Sequence, residues 1–303
     1  MLSPSKILFG AVLLTVSIGS TAFAQSLTPT PGLNALPEVE FSRLSQRDPN
    51  PLGAKALALH PEKWKHGETE HFIYHFVDSF VATPISVEAE FHYRVVVKQL
   101  QRESPAGDVK SHIYIFQKPA DWQLFQNAGK LEPWTGGIQS QGSLFIVRDP
   151  SFKFSDNSLG HEIAHLIIHR YYPDGIPTWL NEGFAQFVSK GAQASFLRAR
   201  NYNAKPLSQP IAAAKFIPLT TLTTMSYPPA AQVETFYDES ERLVRFLATA
   251  DKAAFLVFLD AVGRHQAFES AFAQAYATRF SSVEALEEKF RAYASSTALA
   301  TTL

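Results

Sequence analysis

Residues 161–165 read His161-Glu162-Ile163-Ala164-His165. On a helix, residues four apart lie on one face, so the two imidazoles can reach a single ion. Neutral imidazole is a good zinc ligand. Glu162 projects beside the pair, placed to meet a water at the metal rather than the metal itself. His-Glu-x-x-His on a helix is the pattern with which zinc-dependent peptide hydrolysis is performed. The flanking residues Ile163, Leu166, Ile167 and Ile168 are apolar, and two histidines with a carboxylate are costly to bury there without a metal or hydrogen-bonding partners. Such a site needs a third protein ligand and one open position. One family of zinc proteases carries Gly and His at the third and sixth positions past the second histidine; here those positions are Ile168 and Tyr171. The alternative is Glu182, in Trp179-Leu180-Asn181-Glu182-Gly183-Phe184-Ala185. It stands near the start of the next helix, where a short loop folding back brings one carboxylate to the metal. The competing reading makes Glu182 a surface residue favoured by a helix N-terminus. Asp174 and His169 are weaker candidates; His169 drifts off the shared face and reads as a core histidine or an outer partner of the site.

These residues need helices to position them. The first is expected from Ser158 to Tyr172, capped by Ser158 and stopped by Pro173-Asp174-Gly175; the second from Thr178 to Lys190, capped by Thr178 and ended by Gly191. Upstream, His71–Val77, Ser111–Phe116 and Gly142–Val147 read as strands, with helices at Val87–Arg102 and Pro119–Asn127. The strand Gly142–Val147 precedes the metal helix, and as an edge strand it could pair with an extended peptide. Downstream, helices are expected at Glu234–Thr249, Lys252–Val262, Ala267–Ala277 and Val283–Ala294. Strands first and helices after predict one α+β domain over 68–298.

The ends and the composition bound the setting. Lys6, the apolar stretch Ile7–Ile18 and Ala22-Phe23-Ala24 form a signal peptide over 1–24, cleaved after Ala24. The protein is thus expected to be exported, periplasmic or secreted, with no stable membrane insertion. Residues 25–67, rich in Pro, Ser and Thr, read as an arm with little regular structure. The 303 residues contain no cysteine, which excludes disulfides, thiolate zinc sites and a lipoprotein anchor. A net charge of −1 with dispersed charges gives no surface for nucleic acid.

His-Glu-x-x-His followed by Trp-Leu-Asn-Glu-Gly-Phe-Ala resembles the gluzincins, and most closely the aminopeptidase N-like enzymes and the smaller peptidase-MA-like proteins of bacteria. The resemblance implies a thermolysin-like catalytic domain, with a small N-terminal sheet, an active-site helix and a mainly helical C-terminal half. It further implies one Zn²⁺ per chain held by His161, His165 and Glu182, Glu162 as general base, and a peptide or protein as substrate. By position it assigns oxyanion stabilisation to Tyr237, with Tyr227 as competitor; Gln186 is a candidate outer partner of the ligands. The aminopeptidase motif Gly-x-Met-Glu-Asn is absent, Gly136-Gly137-Ile138-Gln139-Ser140 standing in its place. The His165-to-Glu182 spacing is slightly short, so aminopeptidase specificity is not implied. Two alternatives stay open: a catalytically inactive binding protein of the same fold, and a zinc hydrolase of a non-peptide amide or ester.

Overall fold

The computed structural model describes residues 35–102, 109–131, 136–148, 158–199 and 210–296. The expected signal peptide lies outside the described residues, and no helix among them is long and apolar enough to cross a membrane. The fold is α+β. The chain divides into two compact units, Met1–Phe91 with Ser104–Ser155 and His92–Glu103 with Asp156–Leu303.

The first unit contains α1 (Pro51–Ala58), β1 (Lys65–Glu68), β2 (Phe72–Phe76), the opening turns of α2 (Ser79–Leu100), β3 (Ser111–Phe116), α3 (Pro119–Gly129), β4 (Gly137–Ser140) and β5 (Ser143–Val147). The strands form one mixed sheet in the order β1-β2-β3-β5-β4. The central strands β2, β3 and β5 are parallel and every residue in them is buried, which is why they read as continuous apolar and aromatic runs. The antiparallel β1 and β4 sit at the two edges. So β5, expected at an edge, is flanked by β3 and β4, and on that side of the sheet the edge strand is β4. The β4–β5 hairpin turns through Gln141 and Gly142, whose φ values are 46° and 82°. Positive φ at both central residues is the type I′ turn that matches strand twist. Tyr114, Phe116, Phe125, Phe145 and Val147 form a core beneath α1 and α3.

The arm is more ordered than its composition suggests. Asn50 caps α1 through Leu52 N and donates to Ser140 O, while Asp48 accepts from Tyr114 and Ser143. These bonds stitch residues 48–50 onto the sheet. The helix α2 starts two turns before the expected Val87 because Asp78 accepts from Phe80 N at its start, and the chain stays helical through Pro84.

The second unit holds the rest of α2, then α4 (Ser158–Tyr171), α5 (Thr178–Ala199), α6 (Leu219–Leu222), α7 (Val233–Ala250), α8 (Lys252–Gly263), α9 (Phe268–Tyr276) and α10 (Val283–Ala294). α5 packs on both α4 and α7. It runs past Gly191, the expected stop, because Gly191, Ala192 and Ala194 are buried and small residues fit a close helix contact. Thr178 does not cap α5: its hydroxyl donates to Ser226 O, and Pro177 O takes the first helical amides.

One stripe of the first unit's sheet is polar. His66 on β1, His75 on β2 and His112 on β3 are buried and form a row, His66 Nδ1 to His75 Nδ1 at 2.8 Å and His75 Nε2 to His112 Nδ1 at 2.9 Å. Burial, and next the charge of Arg47, lower His66 to about 4. Burial first, then its two neighbours, hold His75 well below the ordinary value. The folded values lie below the unfolded value of about 6.5, so the unfolded chain takes up protons first. This contribution to stability is full above about pH 6.5 and is lost as pH falls through about 4. Urea denaturation of the wild type is expected to show that loss, and His66→Gln is expected to flatten it; an equal slope in both proteins would show that the row does not titrate with unfolding.

Candidate metal centre

The second unit brings His161, His165 and Glu182 together, each less than a tenth exposed. α4 carries the two histidines on one face, their rings perpendicular and 4.6 Å apart. The rest of that helix buries Leu159, Ile163, Ala164, Leu166 and Ile167, so the imidazoles have few ways to turn. Glu182, in the second turn of α5, points its Oε2 at both. Oε2 stands 3.3 Å from His161 Nε2 and 3.5 Å from His165 Nε2, and the two Nε2 atoms are 3.0 Å apart. Ligand atoms bound tetrahedrally to zinc at ordinary bond lengths stand about 3.3 Å from one another. The three atoms therefore match one face of a zinc tetrahedron, and the fourth corner is left for a water or a substrate.

Trp179, Asn181, Gly183 and Phe184, the residues around Glu182, each make a contact that holds it. Trp179 is buried against Phe258 of α8 and Phe268 of α9, with ring centroids at 6.3 and 5.9 Å. Phe184 stacks on Phe255 of α8. Asn181 Oδ1 lies 3.0 Å from His165 Nδ1. With the proton on Nδ1 and donated to Asn181, Nε2 presents its lone pair towards Glu182, and the hydrogen bond fixes tautomer and ring together. Gly183 faces α7: a side chain there would collide with the carbonyl oxygen of Ser240 and with Val244. The two helix backbones consequently touch beside the ligand. Gly160, next to His161, plays the same part for the ring of His92 on α2.

That contact sets Tyr237, three residues before Ser240 on α7. Burial, and next the charge of Glu182, push the Tyr237 hydroxyl up, with smaller contributions from Tyr227 and Glu162. It therefore stays protonated and within electrostatic reach of the ligand and the neighbouring carboxylate. Burial raises the Glu162 carboxyl; His161 and His165 oppose this and Glu182 adds to it. Glu162 nevertheless keeps part of its surface open, as a group exchanging protons with water requires. Burial disfavours a charged His165, yet the Glu182 carboxylate reverses this and takes it to about 9. Burial works against Glu182 ionising too, but His165 and His161 hold it well below the carboxylate range. The carboxylate thus demands a positive partner at the imidazoles, and a divalent cation is such a partner.

The sequence-predicted residues His161, Glu162, His165, Glu182 and Tyr237 fall in one neighbourhood. The weaker candidates do not join them: His169 and Asp174 are exposed, so His169 is neither a core residue nor an outer partner. Gln186 makes no hydrogen bond to the ligands among the described residues. Asn181 holds that place, and its signal was an amide directly before the ligand carboxylate. No family model matches the chain, and no curated protein matches it in sequence.

Gly183→Ala is expected to force α5 and α7 apart, lowering stability in urea denaturation by about 1–3 kcal/mol and weakening zinc retention against a chelator. Unchanged stability would show that the helices do not need this approach.

Proposed function

We propose that the chain is a zinc-dependent peptidase of gluzincin type, with His161, His165 and Glu182 as metal ligands and Glu162 as general base. The observation that carries this reading is the triangle of ligand atoms with sides of 3.0, 3.3 and 3.5 Å, with Glu162 adjacent on the same helix. The thermolysin-like fold, the peptide substrate and export from the cytoplasm belong to the same proposal.

His161, His165 and Glu182 would hold a zinc ion, which would supply Lewis acidity towards the scissile carbonyl and bring the pKa of a water to about 7. The chain's own residues do the rest. Glu162 accepts the proton of the attacking water and passes it to the leaving amine, and its raised proton affinity suits both halves of that transfer. Tyr237, kept protonated by burial and by Glu182, donates a hydrogen bond to the oxygen on which negative charge develops. Asn181 holds His165 in the tautomer that leaves Nε2 available.

Purified wild-type protein is expected to carry one zinc per chain by elemental analysis, and Glu182→Ala to lose it. Glu162→Gln keeps the zinc and loses peptide hydrolysis by about 10²-fold or more. A zinc-free wild type after zinc is supplied would overturn the proposal, and full activity in Glu162→Gln would overturn the role of the base. Tyr237→Phe keeps the zinc and lowers kcat by about 10²–10³-fold; a rate equal to wild type would remove Tyr237 from the oxyanion site. Parallel assays on ester and non-peptide amide substrates separate a peptidase from another zinc hydrolase.

A further inference from the structure

Tyr227 is the most exposed large aromatic side chain among the described residues, at 70%. Water-facing aromatic surface of that size is costly to leave uncovered, and the backbone that carries this ring is tied down on both sides. Its neighbour Ser226 accepts a hydrogen bond of 3.0 Å from the hydroxyl of Thr178. Thr178 opens α5 one turn before Glu182, so the loop is tied to the helix that bears the ligand. On the other side Pro228 and Pro229 follow, Pro228 buried, and fixed φ angles there leave the backbone little freedom. The chain then enters α7, whose second turn carries Tyr237. Tyr227 also lies close enough to Tyr237 for an electrostatic interaction between the two hydroxyls. A solvent-facing ring thus sits on a segment tied to the start of the ligand helix and leading into the helix that carries the residue proposed to meet the oxyanion.

Resting on the peptidase reading, we infer that Tyr227 is a specificity-determining residue, forming an aromatic platform for an apolar side chain of the substrate peptide next to the scissile bond. A tyrosine ring suits this because it offers a large contact area with few torsions to immobilise. Its hydroxyl stays in water while the ring face packs. A substrate with Phe or Leu at the adjacent position gains this contact, and one with Gly does not. Tyr227 acts through binding and leaves the proton transfers to Glu162 and Tyr237.

The test uses the full zinc-loaded chain with peptides that vary only at the residues flanking the cut, Gly, Leu or Phe. In the wild type kcat/KM is expected to favour Phe and Leu over Gly. Tyr227→Ala is expected to shrink that ratio about tenfold, through KM rather than kcat, with zinc content preserved. Tyr227→Phe retains the ratio, since the ring face makes the contact. An undiminished ratio in Tyr227→Ala overturns the inference. A Tyr227→Phe variant slowed in kcat on every peptide also overturns it, and places the oxyanion donor at Tyr227. The same peptides are titrated calorimetrically onto Glu162→Gln with and without Tyr227→Ala. A Phe-over-Gly binding preference lost with the ring supports the platform even where no peptide is cleaved. Absence of any peptide binding sinks both readings.

Discussion

Two imidazoles and a carboxylate are buried within hydrogen-bonding distance of each other among apolar helices. That is an expensive arrangement, and much of the second unit is arranged around it. The carboxylate of Glu182 has lost most of its water and needs positive charge from the side of His161 and His165. The imidazoles stand on one face of α4, whose other residues Ile163, Leu166 and Ile167 are buried. The neighbours of Glu182 along the chain each spend their side chain on holding the helix start still. Trp179 and Phe184 reach into the aromatic cluster of α8 and α9, Asn181 reaches back to His165, and Gly183 gives up its side chain so that α7 can come close.

The contact at Gly183 and Ser240 ties distant parts of the sequence together. Because α7 lies directly on α5 there, Tyr237 senses the charge of Glu182 and Glu162, although more than fifty positions separate it from Glu182 in the chain. α7 also buries Glu239, Glu241, Arg242 and Arg245. Glu239 accepts from Ile217 N, and burial takes its carboxyl to about 8. Arg245 pairs with Glu241 and lies over the ring of Phe187 on α5. The helix that supplies Tyr237 is therefore anchored by polar bonds to Ile217 and, through Arg242, to Ala294 O, in addition to its apolar packing.

The juxtaposition of His161, Glu162 and His165 was legible in the sequence because helical spacing alone sets their relation. Glu182 was legible because its helix begins soon after the first one ends. Strands β2, β3 and β5 were legible as buried apolar runs. Lys65–Glu68 and Gly137–Ser140 were not, because four residues with at most one apolar side chain become strands only by pairing with a neighbour. The order of the sheet, which moves the edge from β5 to β4, lies in that pairing and not in any local pattern. Helix boundaries were misread at two places: α2 was expected only from Val87 although it runs helical through Pro84, and Gly191 was read as the end of α5, where small buried neighbours favour continuation. Asn181 sat in the motif, but its role depends on which imidazole comes to face it, and only the packing of α5 on α4 decides that.

The three ligands come from two helices joined by a short connection, residues 172–177. A metal ion held by them is therefore a cross-link between α4 and α5 as well as a reagent. A swing of the first turns of α5 off α4 would break the triangle of ligand atoms, and it would also have to pull Trp179 out of its aromatic cluster and open the seam at Gly183. A bound ion would thus resist the parting of this helix pair, and the packing around Trp179 would in turn help to keep the ion.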